Sequence, residues 1–225
     1  MLVGAGHQVA GTTRDPQRAD RLRAIGADPV LLDVLDEAAV GRAIVTARPD
    51  AVIHQLTGLS GGFGSAELRA TARLREVGTR HLVEAMRGAG VTRLVAQSGA
   101  WLYARGPTPH SEADPLRDPR DAPDDLALPG IAALEQLTLA TPTIEGVVLR
   151  YGFLYGPGTA HEERAAAPDP RVHVIAAARA AVLAVEAWRP GIYNVVDDGA
   201  SVSNRRAREV LGWTPDAARA AGPEP

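Results

Sequence analysis

The sequence predicts an α/β fold in which a parallel sheet is covered by helices on both faces. Three observations support this. Strand-like and helix-like segments alternate along the chain, the connections between them are short, and no stretch is long enough to act as a linker between two domains. A chain of 225 residues suits one domain spanning 1–225, and 45% apolar residues can fill its core. Aromatics are only 4%, so that core has to be built from Ala, Val, Leu and Ile.

The elements follow in order. QVAGTTR at 8–14 alternates and ends in a turn, as a strand does. Asp15 can cap a helix that starts on Pro16 and is closed by Gly26, with Ala19, Leu22 and Ile25 on its inner stripe. PVLLDV at 29–34 is a short apolar strand. Asp36 reads as the N-cap of a helix through Val40, Ile44 and Ala47, stopped ahead of Pro49. AVIHQL at 51–56 is the next strand and runs into a glycine-rich loop, LSGGFGS. Leu74, Val77, His81, Leu82, Ala85 and Met86 stand near helical spacing inside a long helix over 66–88. RLVAQS at 93–98 is a strand, and the Pro-, Asp- and Arg-rich stretch 104–125 is a surface loop. Helix 130–140, strand 144–150, helix 173–188, strand 191–196 and helix 203–211 complete the series.

Composition narrows the functional classes. A net charge of −3 gives no general drive toward nucleic acid or an anionic membrane. No apolar run approaches the ~20 residues of a membrane span. The opening MLVGAGHQVAGTTR has neither the basic start nor the apolar length of a signal peptide, so a cytoplasmic location is expected. Cysteine is absent, which excludes disulfides, thiol nucleophiles and cysteine metal sites. His7, His81, His110, His161 and His173 are scattered without metal-ligand spacing, and no metal is expected. All 24 basic residues are arginine, and lysine is absent.

Seven segments, in order, carry a family likeness: GHQVAGTTRDP, LLDVLD, PDAVIHQLTG, VGTRHLVEAMRGAGVTRLVAQSG, VVLRYGFLYGPGT, GIYNVVDD and LGWTP. Together they resemble the NAD(P)-dependent epimerase/dehydratase branch of the short-chain dehydrogenases over roughly 5–160 and 172–215. The resemblance implies a Rossmann-like, doubly wound parallel sheet that binds NADP or NAD in the crevice at its strand ends. In that family a first strand and a G-x-x-G-x-x-G loop precede the segment that GHQV resembles, and neither stands there in this chain. Gly4-Ala5-Gly6 has no strand before it and reads as the end of a helix. The expectation is therefore a fold missing its first strand and glycine-rich loop, from a start placed too late or a fragmentary gene. The strands at 8–14 and 51–56 would then pair directly or leave unpaired edges. The C-terminal substrate lobe is expected to be reduced, with 155–172 and 197–225 as its remnants.

What the resemblance implies for single residues has a structural alternative at several of them. Arg14 would meet a 2′-phosphate and favour NADP, or would be a surface arginine paired with Asp15. Asp33, followed by Val34, would meet the adenine, or would be a turn residue. Gln55, Leu56 and Thr57 would pass beneath the nicotinamide ribose, while His54 reads as a core histidine rather than a base. Ser98 would face substrate from the end of its strand, or would cap a turn. Tyr103 resembles a family tyrosine that is not the catalytic one. Gly152 and Phe153 would border the nicotinamide, and Tyr151 is the substitute acid if catalysis survives; Asn194 would lie near substrate or end its strand.

The family's catalytic Y-x-x-x-K is not matched. Aligned through Glu135, its tyrosine and lysine positions hold Ala127 and Ile131, and a chain without lysine cannot supply the ammonium. Arginine is a poor replacement for that role. Three readings follow: an atypical oxidoreductase or epimerase on a sugar-nucleotide-like or small carbonyl substrate; a non-catalytic, NmrA-like module that senses the dinucleotide or binds protein; or an inactive truncated product. A small-molecule substrate and a homodimer are the expected partners.

Overall fold

Strands β4 (Arg93–Gly99) and β5 (Glu145–Tyr151) are the best covered in the molecule, because each has a ladder partner on both sides and helices against it. In the computed structural model residues 1–58 and 64–216 are described; the centre of the glycine-rich loop, 59–63, and the tail 217–225 lie outside the described residues. Ahead of the first strand, a 3-10 turn at Val3–Ala5 closes on Gly6 with φ of 90°, the helix-end geometry expected of GAG.

The elements alternate as the sequence predicts: β1 (Ala10–Thr13), α1 (Pro16–Ala24), β2 (Asp28–Leu31), α2 (Glu37–Ala47), β3 (Val52–His54) and α3 (Ser65–Arg73). α3 runs through a π-helical turn, Leu74–Gly78, straight into α4 (Thr79–Ala89), so the single helix expected over 66–88 carries a π turn in its middle. After β4 come α5 (Leu128–Ala140), β5, β6 (Phe153–Tyr155), β7 (Arg171–His173), α6 (Val174–Ala187), β8 (Gly191–Val195) and α7 (Arg205–Leu211). The expected caps form: Asp15 accepts from the Gln17 amide with Pro16 in the first turn of α1, and Asp36 accepts from the Ala39 amide at α2.

Among the described residues every pair of named strands is parallel, but the strands do not share one sheet. β1 pairs with β2, the order β3-β4-β5-β8 forms a second sheet, and β6 pairs with β7. This corrects the expectation that the strands near 8–14, 29–34, 51–56 and 93–98 lie in one common sheet. Of the two outcomes expected for β1 and β3, direct pairing is not observed. The doubly wound order is interrupted between them.

The helix layer bridges that interruption. α2, from the β1–β2 half, packs on α4, from the β3 half. Val34, Val40 and Ile44 share one buried cluster with Leu74, Leu82, Val83, Met86 and Leu94. The Val34 carbonyl also accepts a hydrogen bond from His81 Nδ1 at 2.9 Å. A second cluster, on the other face of β4, β5 and β8, is filled by α6, α7 and the fully buried Trp213, whose indole N–H donates to the Ala176 carbonyl. Burial departs from the sequence expectation at one point: Ile25, placed on the inner stripe of α1, is 66% exposed. It has left the helix as its C-cap, and Ala19 and Leu22 alone face inward.

Candidate functional site

Parallel pairing brings the C-terminal ends of β3, β4, β5 and β8 to one edge, where doubly wound folds place their ligands. The register sets Ser98, Arg150 and Asn194 side by side, and likewise Gly99, Tyr151 and Val195 one residue on. Successive residues point to opposite faces, so these two rows serve different purposes.

The first row is a closed polar network. Ser98, fully buried, donates its hydroxyl to Glu135 Oε1 at 2.5 Å. Arg150 binds the same carboxylate through Nε and Nη2 at 2.9 and 2.7 Å, and its Nη1 donates to the Tyr103 hydroxyl. Tyr103 in turn donates to Asn194 Oδ1 at 2.6 Å, and Asn194 donates to the Ser203 carbonyl. Burial works against the Arg150 charge, yet its hydrogen bonds to Glu135 and the carboxylate's charge hold its pKa above the ordinary value. The hydroxyl of Ser98 is thus committed to Glu135. Sequence periodicity carries no signal for this network, because directly bonded partners in it lie up to 91 residues apart.

The second row lies on the other face, where Tyr151 and Val195 join the buried core. Tyr151, 3% exposed, accepts a hydrogen bond at 3.3 Å from the amide of Gln55, an exposed residue past the end of β3. Burial pushes the Tyr151 phenol well above the usual tyrosine range. Trp101, whose ring lies against Gly99, stacks on Phe153 at 4.6 Å. Gly152 is a glycine for packing: a Cβ there would sit 2.7 Å from the Arg171 backbone, where β6 and β7 come together. Leu56 is half-buried and Thr57 exposed.

His54 is fully engaged. The Thr79 hydroxyl donates to the Arg75 carbonyl, so it must accept from His54 Nε2 at 3.0 Å; Nδ1 then accepts from the Leu56 amide. Burial, and after it the charge of Arg75, lower the His54 pKa to about 4. It is a neutral core histidine, as the sequence suggests. The Ala127 and Ile131 positions lie at the start of α5, and Ile131 is fully buried among Leu102 and Leu128.

Arg14 and Asp33 stand apart, at the ends of β1 and β2. Arg14 is exposed and has no partner among the described residues; Asp15 pairs instead with Arg18 at 3.6 Å. Asp33 is exposed and receives the Leu35 amide on Oδ1, a turn geometry. Val34 is buried against Gly78. The side chains present suit the two ends of a dinucleotide: an unpaired guanidinium and a carboxylate on one side of the interruption, polar strand ends on the other. Its diphosphate would need a glycine-rich turn. Gly58, Gly61 and Gly64 have G-x-x-G-x-x-G spacing between β3 and α3, a signal that sequence reading passed over. Yet the Glu67 carboxylate lies against Gly64 at the start of α3, giving that helix end an acid of its own.

Comparison with known proteins agrees with this geometry. Residues 1–193 match the profile of the NAD dependent epimerase/dehydratase family. The chain is 39% identical over 251 aligned positions to the 3-diazoavenalumate denitrifying reductase of a Streptomyces species, covering 100% of this chain and 78% of that protein. Among solved structures it is similar to a UDP-glucose 4-epimerase of Thermus thermophilus in complex with NAD. That match has 26% identity and a TM-score of 0.69, covering 100% of this chain and 78% of the other. It is also similar to the Bordetella bronchiseptica enzyme WbmG in complex with NAD and UDP, at 16% identity and a TM-score of 0.76, covering 95% and 82%. With its parallel strands and covering helices, a profile match over most of its length and a relative 39% identical across the whole chain, the chain belongs to the NAD-dependent epimerase/dehydratase family.

Proposed function

We propose that this protein is a nicotinamide-dinucleotide-dependent reductase of a small molecule, working without the proton-donating Tyr-Lys pair of its family. The observation that carries the reading is the likeness, across the whole chain, to a relative named as a denitrifying reductase. When bound, the dinucleotide supplies a hydride. The chain's own residues set what else the site can do. Gln55 and Tyr151 would form the floor beneath the reacting centre, with Trp101 and Phe153 beside them keeping water away. The described candidates do not offer a proton near neutral pH: His54 is neutral and fully bonded, the Tyr151 phenol is held protonated, and Ser98 is tied to Glu135. Such a site suits a substrate already electron-poor enough to accept hydride unaided, rather than a carbonyl that must be protonated as it is reduced. Arg14 would receive a 2′-phosphate and select NADP.

A single experiment tests this. Purified protein is titrated with NADPH and NADH by fluorescence and then given electron-poor acceptors such as aryl diazonium salts, with cofactor oxidation followed by absorbance. Saturable NADPH binding and acceptor-dependent oxidation are expected. The lack of any lysine specifically favours a second reading, a dinucleotide-sensing module. Tight binding with no turnover on any acceptor would select it, and no saturable binding would remove both.

A further inference from the structure

Arg75 lies on the π turn between α3 and α4 and is only 4% exposed. Unlike that of Arg150, its side chain makes no ion pair, hydrogen bond or ring contact with any described residue. No fully buried side-chain nitrogen or oxygen among the described residues lacks a partner, so the unbonded guanidinium nitrogens are the part of Arg75 that still reaches solvent. A buried cation without an acid beside it costs stability, and folded proteins seldom keep one idle. Burial alone lowers its pKa to about 10, so it remains charged at neutral pH.

Its neighbours on the helix locate it. Thr71, four residues before it, accepts the Gly58 amide on its hydroxyl; Thr79, four residues after it, holds His54. Residues at this spacing share one helix face. Arg75 therefore stands on the face turned toward the exit of β3, between the two anchors and alongside the stretch Gln55–Thr57 that joins them. The π turn keeps the row in line, and the Thr79 hydroxyl fixes it by bonding the Arg75 carbonyl. Across from this turn, α5 packs close enough that a Cβ on Gly130 would sit 2.5 Å from the Ala72 Cα, so the helix has little room to shift.

We propose that Arg75 is an oxyanion receptor, its planar guanidinium taking the two oxygens of a carboxylate on the substrate bound at the ends of β3 and β5. This deepens the function proposed above, resting on the same crevice, by naming the substrate class as an organic acid. A dinucleotide phosphate is the other source of the same chemistry, and the experiment separates the two.

The protein is titrated, with no dinucleotide present, by benzoate, by benzamide as its neutral analogue of like shape, and by inorganic pyrophosphate; binding is followed by NMR shift changes. Benzoate is expected to bind at least about tenfold more tightly than benzamide, a preference lost in Arg75→Gln and partly kept in Arg75→Lys. Pyrophosphate binding that is lost in Arg75→Gln, with no benzoate preference in the wild type, would support the receptor and assign the phosphate source. Wild type and Arg75→Gln binding all three probes alike, or neither binding any, would overturn it. Arg75→Gln should also melt at or above the wild-type temperature, since it removes a buried charge that the protein does not pair. A variant that fails to fold would show the guanidinium to be structural and would equally overturn the proposal. Failure of NADPH oxidation would leave these titrations untouched, so the two proposals fail separately.

Discussion

Two of the three sheets among the described residues, β1-β2 and β3-β4-β5-β8, are built from similar material and behave differently. In the four-stranded sheet, β5 is buried at six of its seven residues and β4 at five of seven. In the two-stranded sheet, neither β1 nor β2 has a single buried residue, and Leu31 on β2 is 60% exposed. The sequences of GTT and VLL are no less strand-like than those of the centre. What differs is the neighbours, since β4 and β5 have ladders on both sides and a helix layer on each face, while β1 has a partner on one side only. Strand propensity decides that a strand forms, and burial is conferred by what packs against it. The polar groups follow the same division. In the closed half Ser98, Glu135, Arg150, Tyr103 and Asn194 satisfy one another, whereas in the open half Arg14 stays exposed and has no partner among the described residues.

The contrast can be attacked at its strongest point first. Glu135→Ala leaves the buried Arg150 without its counter-charge and Ser98 without its acceptor, and should lower stability by about 3–5 kcal/mol in urea unfolding. A loss below about 1 kcal/mol would mean the network is far wetter than its burial implies. Core packing gives the next test. Leu149→Ala, at a site with no exposure, should cost about 2–5 kcal/mol, and Leu31→Ala less than about 0.5. Equal costs would show that the open half is covered in solution.

A third test uses pH. His54 has a folded pKa of about 4 against an ordinary value of 6.5, so the unfolded chain binds the extra proton between them. Its contribution is fully present above pH 6.5 and is lost as pH falls toward 4. In that window the wild type should lose about 1.4 kcal/mol per pH unit more than His54→Gln. Parallel stability profiles would contradict a buried neutral His54. The smallest effect belongs to the open half: Arg14→Asp should weaken NADPH by about tenfold and leave NADH nearly unchanged. An equal change in both would remove Arg14 from cofactor selection, and thermal unfolding should barely register the substitution.

Much of this molecule can be read along the chain. Asp15, Pro16 and Asp36 mark helix starts because a cap bonds to amides two or three residues away, and the alternation of strands and helices needs no distant partner to be seen. The loss of the Tyr-Lys pair is equally a sequence fact, fixed by the absence of lysine. Ile25 escapes such a reading because periodicity does not say where a helix overruns the surface it covers.

What only the tertiary structure decided is which groups meet. That Ser98 spends its hydroxyl on Glu135, that Gln55 reaches Tyr151, and that β1 and β3 do not pair all depend on residues tens of positions apart. Arg75 is the sharpest case: in sequence it is one arginine among 24, and it becomes a candidate receptor only once folding has buried it between Thr71 and Thr79 with no acid paired to it among the described residues. Local periodicity fixes the face on which a side chain emerges, and long-range packing fixes what stands opposite it.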